Sequence, residues 1–307
     1  MKAARIHEFG PPNVIVIDEL SRLAPGQGEV LVRVEAAGVG PWDALIRSHT
    51  SVVQVPLPLT LGSDLSGVIE EIGPGVSGFN VGDEVYGVTN PDFCGAYAEY
   101  AVASASMMAR KPKAMSHVEA ASIPVVAVTA WQMLFDYAQA RAGQTVLIHG
   151  GAGNVGAFAV QFARQAQLQV TATAASRDIE YVRSLGASRV LDYKTTSFEK
   201  EVSAMDIVID TVGGDTRQKS IRVLKSGGIL VSVVPPFPET SNAVGIRTAF
   251  FLVDVTTGRL ELITDLVNQG KLSTQVGTVL SLEQARTAHE MLGGAPHKRG
   301  KIVLSVA

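Results

Sequence analysis

Six residues near the middle of the chain, Gly151-Ala152-Gly153-Asn154-Val155-Gly156, have the types and spacing to hold a phosphate. A G-x-G-x-x-G run arises easily by chance in a chain with 30 glycines, so its context decides. Here it follows the apolar run Thr145-Val146-Leu147-Ile148-His149 and opens an amphipathic stretch over 155–167, the strand–turn–helix setting the motif requires. One glycine allows the tight turn, another lets the backbone approach a pyrophosphate, and Gly156 lets helix and strand pack closely. Amides and dipole at the helix start then favour the phosphate charge. The implied ligand is a dinucleotide.

The end of the next strand reports which dinucleotide. Units that bind NAD place Asp or Glu there, about 20 residues beyond the first glycine, to hold the ribose hydroxyls. This chain has Thr173-Ala174-Ala175-Ser176-Arg177. No acid repels a 2′-phosphate, Ser176 can donate a hydrogen bond, and Arg177 supplies a planar cation. NADPH is the expected cofactor, with an Arg177–Asp178 pair at a helix start as the alternative use of that arginine.

The elements around the motif alternate. Apolar strands at 145–149, 169–173, 190–191, 206–210 and 229–234 are separated by helical stretches at 155–167, 178–184 and 216–224, which predicts a parallel, doubly wound sheet. A capping box, Ser116 with Glu119, opens an alanine-rich helix before it, and a long helical stretch follows over 125–140. The first ~110 residues read instead as short strands punctuated by glycine and proline, an antiparallel β domain. The last strand, Lys301 to Val306, is expected to rejoin that first domain, so the α/β unit is inserted into the β unit. The expected division is 1–115 with 271–307, and 116–270.

Composition agrees with two globular domains. The chain has 307 residues, 46% hydrophobic and 18% charged, with a net charge of −3, which excludes disorder. One cysteine excludes a disulfide framework. No apolar run reaches the ~18 residues of a membrane span, and the start lacks the apolar core of a secretory signal. With 26 basic against 29 acidic residues, no global field draws the protein to nucleic acid. A cytoplasmic protein is expected.

The sequence resembles the medium-chain dehydrogenase/reductase superfamily in its zinc-independent quinone oxidoreductase, or zeta-crystallin-like, branch. The resemblance runs nearly end to end. It is carried by Gly38-Val39-Gly40-Pro41-Trp42-Asp43, Leu61-Gly62-Ser63-Asp64-Leu65-Ser66-Gly67, Val81-Gly82-Asp83-Glu84-Val85-Tyr86-Gly87, the phosphate loop, Asp210-Thr211-Val212-Gly213-Gly214 and Gly300-Lys301-Ile302-Val303-Leu304. It implies a chaperonin-10-like β-rich catalytic domain, a Rossmann domain inserted before its last strands, a cleft between them and commonly a dimer. It also implies NADPH-dependent reduction of quinones or α,β-unsaturated carbonyls. Ser176, Arg177 and Tyr193 match family positions near the adenosine 2′-phosphate, and Thr129, Thr211, Val212, Val233 and Val234 match segments lining the nicotinamide and its ribose.

The departures from the family are informative. The zinc-dependent branch has cysteine where Gly40 stands and histidine in the motif matching Gly62-Ser63-Asp64, so the first two zinc ligands are missing and no metal is expected. Many relatives have asparagine at position 40, and that amide is lost too. Gly40, Trp42, Asp43 and Arg47 are the expected substrate pocket; Trp42 either narrows it or anchors packing. Tyr86, Thr129 and Asp43 are candidate catalytic groups, none fixed by a motif. The loops Val52–Leu59 and Pro235–Arg247 carry no residue that separates quinones from enones. Cys94 reads as an incidental thiol, and His297-Lys298-Arg299-Gly300-Lys301 as a solvated basic turn. The competing reading is a non-catalytic NADPH-binding redox sensor or a zeta-crystallin-like RNA-binding protein. The apolar segment Ala249–Val255 is the expected homodimer edge.

Overall fold

In the computed structural model, which describes residues 1–235 and 245–306, the alternation at Glu29–Glu35 becomes the start of an 11-residue strand. The elements up to there and beyond are β1 (Lys2–Ile6), β2 (Val16–Glu19), β3 (Glu29–Val39), α1 (Pro41–Arg47), β4 (Leu59–Thr60), β5 (Asp64–Ile72), β6 (Glu84–Val88), β7 (Tyr100–Ser104), β8 (Met108–Arg110) and α2 (His117–Ala121). β3 is the hub. It pairs antiparallel with β5 along most of its length, while its first half also pairs with β7. Its apolar side chains Val30, Val32 and Val34 join Leu65, Ile69, Val85 and Met108 in a buried core. Ser116 caps α2 as expected: its Oγ accepts the Glu119 amide and Glu119 Oε2 accepts the Ser116 amide.

α3 (Pro124–Trp131) carries the chain onward, and a wider helical turn, Gln132–Tyr137, completes the helical stretch. The β–α alternation follows as β9 (Thr145–Ile148), α4 (Asn154–Gln165), β10 (Gln169–Ala174), α5 (Ile179–Leu185), β11 (Arg189–Asp192), α6 (Phe198–Glu201), β12 (Met205–Asp210), α7 (Gly214–Ile221), β13 (Leu224–Ser232) and β14 (Arg247–Ala249). These six strands form one parallel sheet in the order β11-β10-β9-β12-β13-β14. The order reverses between β9 and β12, and such a reversal opens a crevice at the carboxyl ends of the strands. Fully buried Val146, Leu147, Ile148 and Val208 show why these strands read as continuous apolar runs: both faces are covered. β13 begins at Leu224, before the apolar run at 229; Gly227, at φ +79°, accommodates the turn in its path.

The chain ends with α8 (Thr257–Asn268), β15 (Val276–Ser281), α9 (Ala285–Leu292) and β16 (Lys301–Ser305). β16 pairs antiparallel with the second half of β3 and parallel with β15. The chain divides into two compact units, Met1–Val125 with Val255–Ala307, and Val126–Asp254. These limits differ from those expected at 116 and 271 because α8 packs with the β unit. Tyr86 donates its hydroxyl to the Leu260 carbonyl at 2.7 Å, and Thr257 donates to the Met108 carbonyl at 2.8 Å.

Gly38 shows how tight the β unit is. A Cβ there would lie 2.3 Å from the Ala121 carbonyl oxygen and 3.0 Å from Asp64 Cβ. Gly38→Ala should cost about 1–3 kcal/mol, read as a Tm lower by several degrees in calorimetry. Gly258→Ala on α8, where a Cβ meets nothing within 4 Å, should leave Tm unchanged or raise it.

Candidate functional site

The phosphate loop is built by close approach. Gly150 takes φ +70°, and a Cβ on it would stand 2.6 Å from Thr211 Oγ1. A Cβ on Gly156 would stand 2.1 Å from the Gly150 carbonyl oxygen, so the start of α4 lies directly on the turn. Gly151 donates its amide to the Thr173 carbonyl at 2.9 Å, which ties the turn to β10. Gly153 precedes α4 with no side chain to cap it, leaving the first helix amides without an intrahelical partner. This is a cradle that fits a pyrophosphate. Gly150, one residue before the motif, is a needed glycine that the spacing rule did not single out.

The neighbouring loop is braced from beneath. Buried Asp210 accepts the amides of Val212 and Gly213 at 3.0 and 2.8 Å and the Ser232 hydroxyl at 2.8 Å. Thr211 donates to the His149 carbonyl at 2.8 Å, linking the ends of β12 and β9. His149 spends both ring nitrogens on Thr173 and Ser220, and burial pulls its pKa down to about 4, so it is a neutral structural group. The structure thereby gathers Gly151–Gly156, Thr211, Val212, Val233 and Val234 at the carboxyl edge of one sheet. Thr129 is buried on α3. Residues 236–244 of the expected specificity loop lie outside the described residues.

Ser176 and Arg177 sit just past β10, and Tyr193 just past β11. The parallel register sets Ala174 beside Asp192, an acid that the sequence reading passed over. Ser176 donates its hydroxyl to the Asp192 carboxylate, which holds that carboxyl below its usual range. The Arg177 side chain is 89% exposed and reaches the Asp178 carboxylate at 3.6 Å. Tyr193 is exposed.

The expected acceptor residues lie in the other unit, on the turn from β3 into α1. Trp42 is half-buried and donates its indole N–H to Ser63 Oγ at 2.9 Å. Below it, Lys301 and Asp64 form an ion pair at 2.9 Å with side chains 1% and 0% exposed. Asp64 also accepts the Val125 amide at 3.1 Å, and burial pushes its carboxyl up against the pull of the ammonium. Lys301, read as part of a solvated basic turn, is therefore an interior residue.

Three expectations are corrected here. Asp43, expected in the substrate pocket and as a catalytic candidate, is fully buried, and its Oδ2 accepts the Gly40 amide and the Tyr97 hydroxyl, each at 2.8 Å. Arg47 is buried too, donating to the Gly10 carbonyl and to His289 Nδ1 at 2.7 Å. Both side chains shape α1 from within. Tyr86, a catalytic candidate, is an interior phenol. Its hydroxyl is fully buried between Leu260 and Thr264, and burial pushes the phenol pKa up, away from proton donation. Cys94 is half-buried, and burial with Asp92 nearby pushes its thiol up to about 11, which fits an inert thiol.

Comparison with known proteins identifies the family. The alcohol dehydrogenase GroES-like domain model matches residues 26–113, and the zinc-binding dehydrogenase model matches residues 185–304. The human mitochondrial NAD(P)H oxidoreductase RTN4IP1 is 32% identical, with 91% of this chain and 82% of the relative covered. The chain belongs to the medium-chain dehydrogenase/reductase superfamily and is quinone oxidoreductase-like. The solved quinone oxidoreductase of Coxiella burnetii is 34% identical with a TM-score of 0.91, covering 100% of this chain and 99% of that one. A mycobacterial protein solved in complex with NADPH is 30% identical with a TM-score of 0.90, covering 99% and 100%. The β unit is thus GroES-like and the parallel sheet Rossmann-like.

Among the described residues no three His, Cys, Asp or Glu side chains stand together to hold a metal. Gly40 has no side chain, Ser63 Oγ accepts the indole N–H, and Asp64 pairs with Lys301. Among the described residues, no helix is long and apolar enough to cross a membrane.

Asp43 generates a pH prediction. Its second oxygen, Oδ1, is buried without a hydrogen-bond partner, and burial pushes the carboxyl pKa up to about 7 from an ordinary 3.8. The folded state therefore binds more protons than the unfolded state between those values, and stability falls as pH rises from about 4 to about 7. The Tm difference between wild type and Asp43→Asn should drift against the wild type across that window and level off above it. A flat difference would place the proton elsewhere.

Proposed function

We propose that this protein is an NADPH-dependent oxidoreductase that reduces quinones or α,β-unsaturated carbonyls without zinc. The observation that carries the reading is the glycine cradle at the start of α4, joined at one sheet edge by the Asp210-braced Thr211–Val212 turn. The amides of α4 would hold the pyrophosphate, while Thr211, Val212, Val233 and Val234 would line the nicotinamide and its ribose, with Thr129 on the segment approaching them. When bound, NADPH supplies a hydride and leaves as NADP+, and water supplies the proton that completes reduction. Quinones and enones spread the developing negative charge over their own conjugated bonds, so they need no Lewis acid. That suits a chain whose ligand positions hold Gly40 and an engaged Ser63.

Arg177 is the proposed partner of the 2′-phosphate, since its guanidinium is exposed past the end of β10 and is held only by a 3.6 Å contact to Asp178 that it would exchange for the phosphate. Asp192 opposes it, by adding negative charge beside Ser176. We further propose a cytoplasmic homodimer. Among the described residues β14 is the last strand of its sheet, and Leu252 beyond it is 58% exposed while Phe251 packs inward on Tyr137 at 4.3 Å.

Anaerobic oxidation of NADPH with a simple quinone and with a conjugated enone, offered separately, tests the reading; consumption of neither would overturn it. For the cofactor, Arg177→Ala should lower the NADPH-to-NADH ratio of kcat/KM about tenfold. Asp192→Asn should raise the same ratio. Equal ratios in all three proteins would remove NADPH selection from this loop.

A further inference from the structure

The first unit contains a slot with a bare floor. Gly38 on β3 and Gly40, the extended residue that follows it, are two apart and so point to the same face of the sheet. Asp64 stands opposite Gly38 on β5, and on β16 Lys301 stands one residue before the Ile302–Val39 pair, opposite Gly40. Cross-strand partners share a face, so a carboxylate and an ammonium flank two residues that have no side chains. Lys301 leans over Gly38, where a Cβ would lie 3.1 Å from its Cε, to reach Asp64.

Trp42 roofs this slot. A Cβ on Gly40 would lie 2.2 to 2.4 Å from three carbons of the indole, and the Lys301 ammonium stands 4.2 Å from the ring centroid. The Ser63 hydroxyl fixes the indole N–H. The ring is therefore pinned by a glycine, a cation and a hydrogen bond. It stays half-buried while the charges under it are sealed.

We propose that Trp42 selects the acceptor, acting as a rigid aromatic platform that favours flat, ring-conjugated quinones over open-chain enones. The proposal deepens the reductase reading above and rests on it. The indole N–H is spent on Ser63, so the ring offers a substrate its π surface and edge rather than a hydrogen bond. Planar rings stack on such a surface in offset geometry. Lys301 draws the π charge of the indole toward the sheet. The side away from the sheet is then less repulsive to an acceptor that becomes negative as it takes the hydride from NADPH and a proton from water to give the hydroquinone. The platform thus holds the reacting quinone better than the resting one, which is the condition for raising the rate. An open-chain enone presents too little flat surface to gain from it.

The test compares 9,10-phenanthrenequinone with but-3-en-2-one under anaerobic conditions with NADPH, in wild type, Trp42→Phe and Trp42→Leu. Leucine fills the slot without an aromatic face; phenylalanine keeps a face and loses the Ser63 bond. The quinone-to-enone ratio of kcat/KM should fall about tenfold in Trp42→Leu and no more than about threefold in Trp42→Phe. An unchanged ratio in Trp42→Leu, or equal falls in both variants, would overturn the platform. A second readout needs no turnover. The chain has two tryptophans, so in Trp131→Phe protein Trp42 is the sole indole, and phenanthrenequinone should quench its fluorescence saturably without NADPH. Absence of saturable quenching would also overturn the proposal. If wild type oxidises NADPH with neither acceptor, the reductase reading itself fails and the selection fails with it; if wild type reduces either one and the ratio does not move, only the role of Trp42 falls.

Discussion

One buried carboxylate holds three distant parts of the first unit. Asp64 pairs with Lys301 on the last strand, takes the amide of Val125 where the chain leaves the unit, and stands on β5 beside the central strand. Taking two charges out of water costs several kcal/mol for each ion, repaid only when geometry is tight and the remaining hydrogen-bonding positions are filled. The rest of the local sequence serves that condition. Position 38 must lack a side chain for the helix carbonyl and the lysine stem to close over it, and an aromatic face must cover the ammonium. Losing one partner alone would strand a buried charge, at a cost of about 3–5 kcal/mol.

The second unit depends on a different constraint, the distance at which backbones meet. Gly150 and Gly156 are pressed together until no Cβ fits between them, and Asp210 spends one oxygen on two turn amides and the other on the Ser232 hydroxyl. The result is a rim where helix amides face outward while the polar groups behind them, His149 among them, are satisfied. A rigid rim costs little ordering when an anion arrives, which is what preorganisation means for binding.

How much of this was legible depended on how far apart the partners lie in sequence. The phosphate loop was legible because its physics is contained in six consecutive residues, and the return of the last strand showed in its apolar run. Lys301 was not. Its neighbours His297 to Arg299 are basic and its partner Asp64 lies 237 positions away, so composition put it in solvent. Tyr86 failed for the same reason: the carbonyl that takes its hydroxyl belongs to a helix 174 residues on. Asp192 was hidden in another way. It lies beyond the strand where the cofactor rule looks for an acid, and only the parallel register brings it alongside Ser176.

The residues around Trp42 are coupled, and the coupling bears on the proposed chemistry. A side chain at position 40 would collide with the indole, so Trp42 can lie where it does only because residue 40 is glycine. With the ring in place, Ser63 becomes its anchor and the Lys301 ammonium gains a π face. The charges beneath the ring then cancel, Asp64 against Lys301, and Asp43 is held largely protonated below about pH 7. Such a region offers no net positive charge to a nascent alkoxide, and a charge left unmatched in a partly buried site is costly. An isolated ketone would concentrate that charge on one oxygen; a quinone distributes it over a ring. A bare position 40, the tryptophan roof and the proposed conjugated acceptor would then be three aspects of one electrostatic solution.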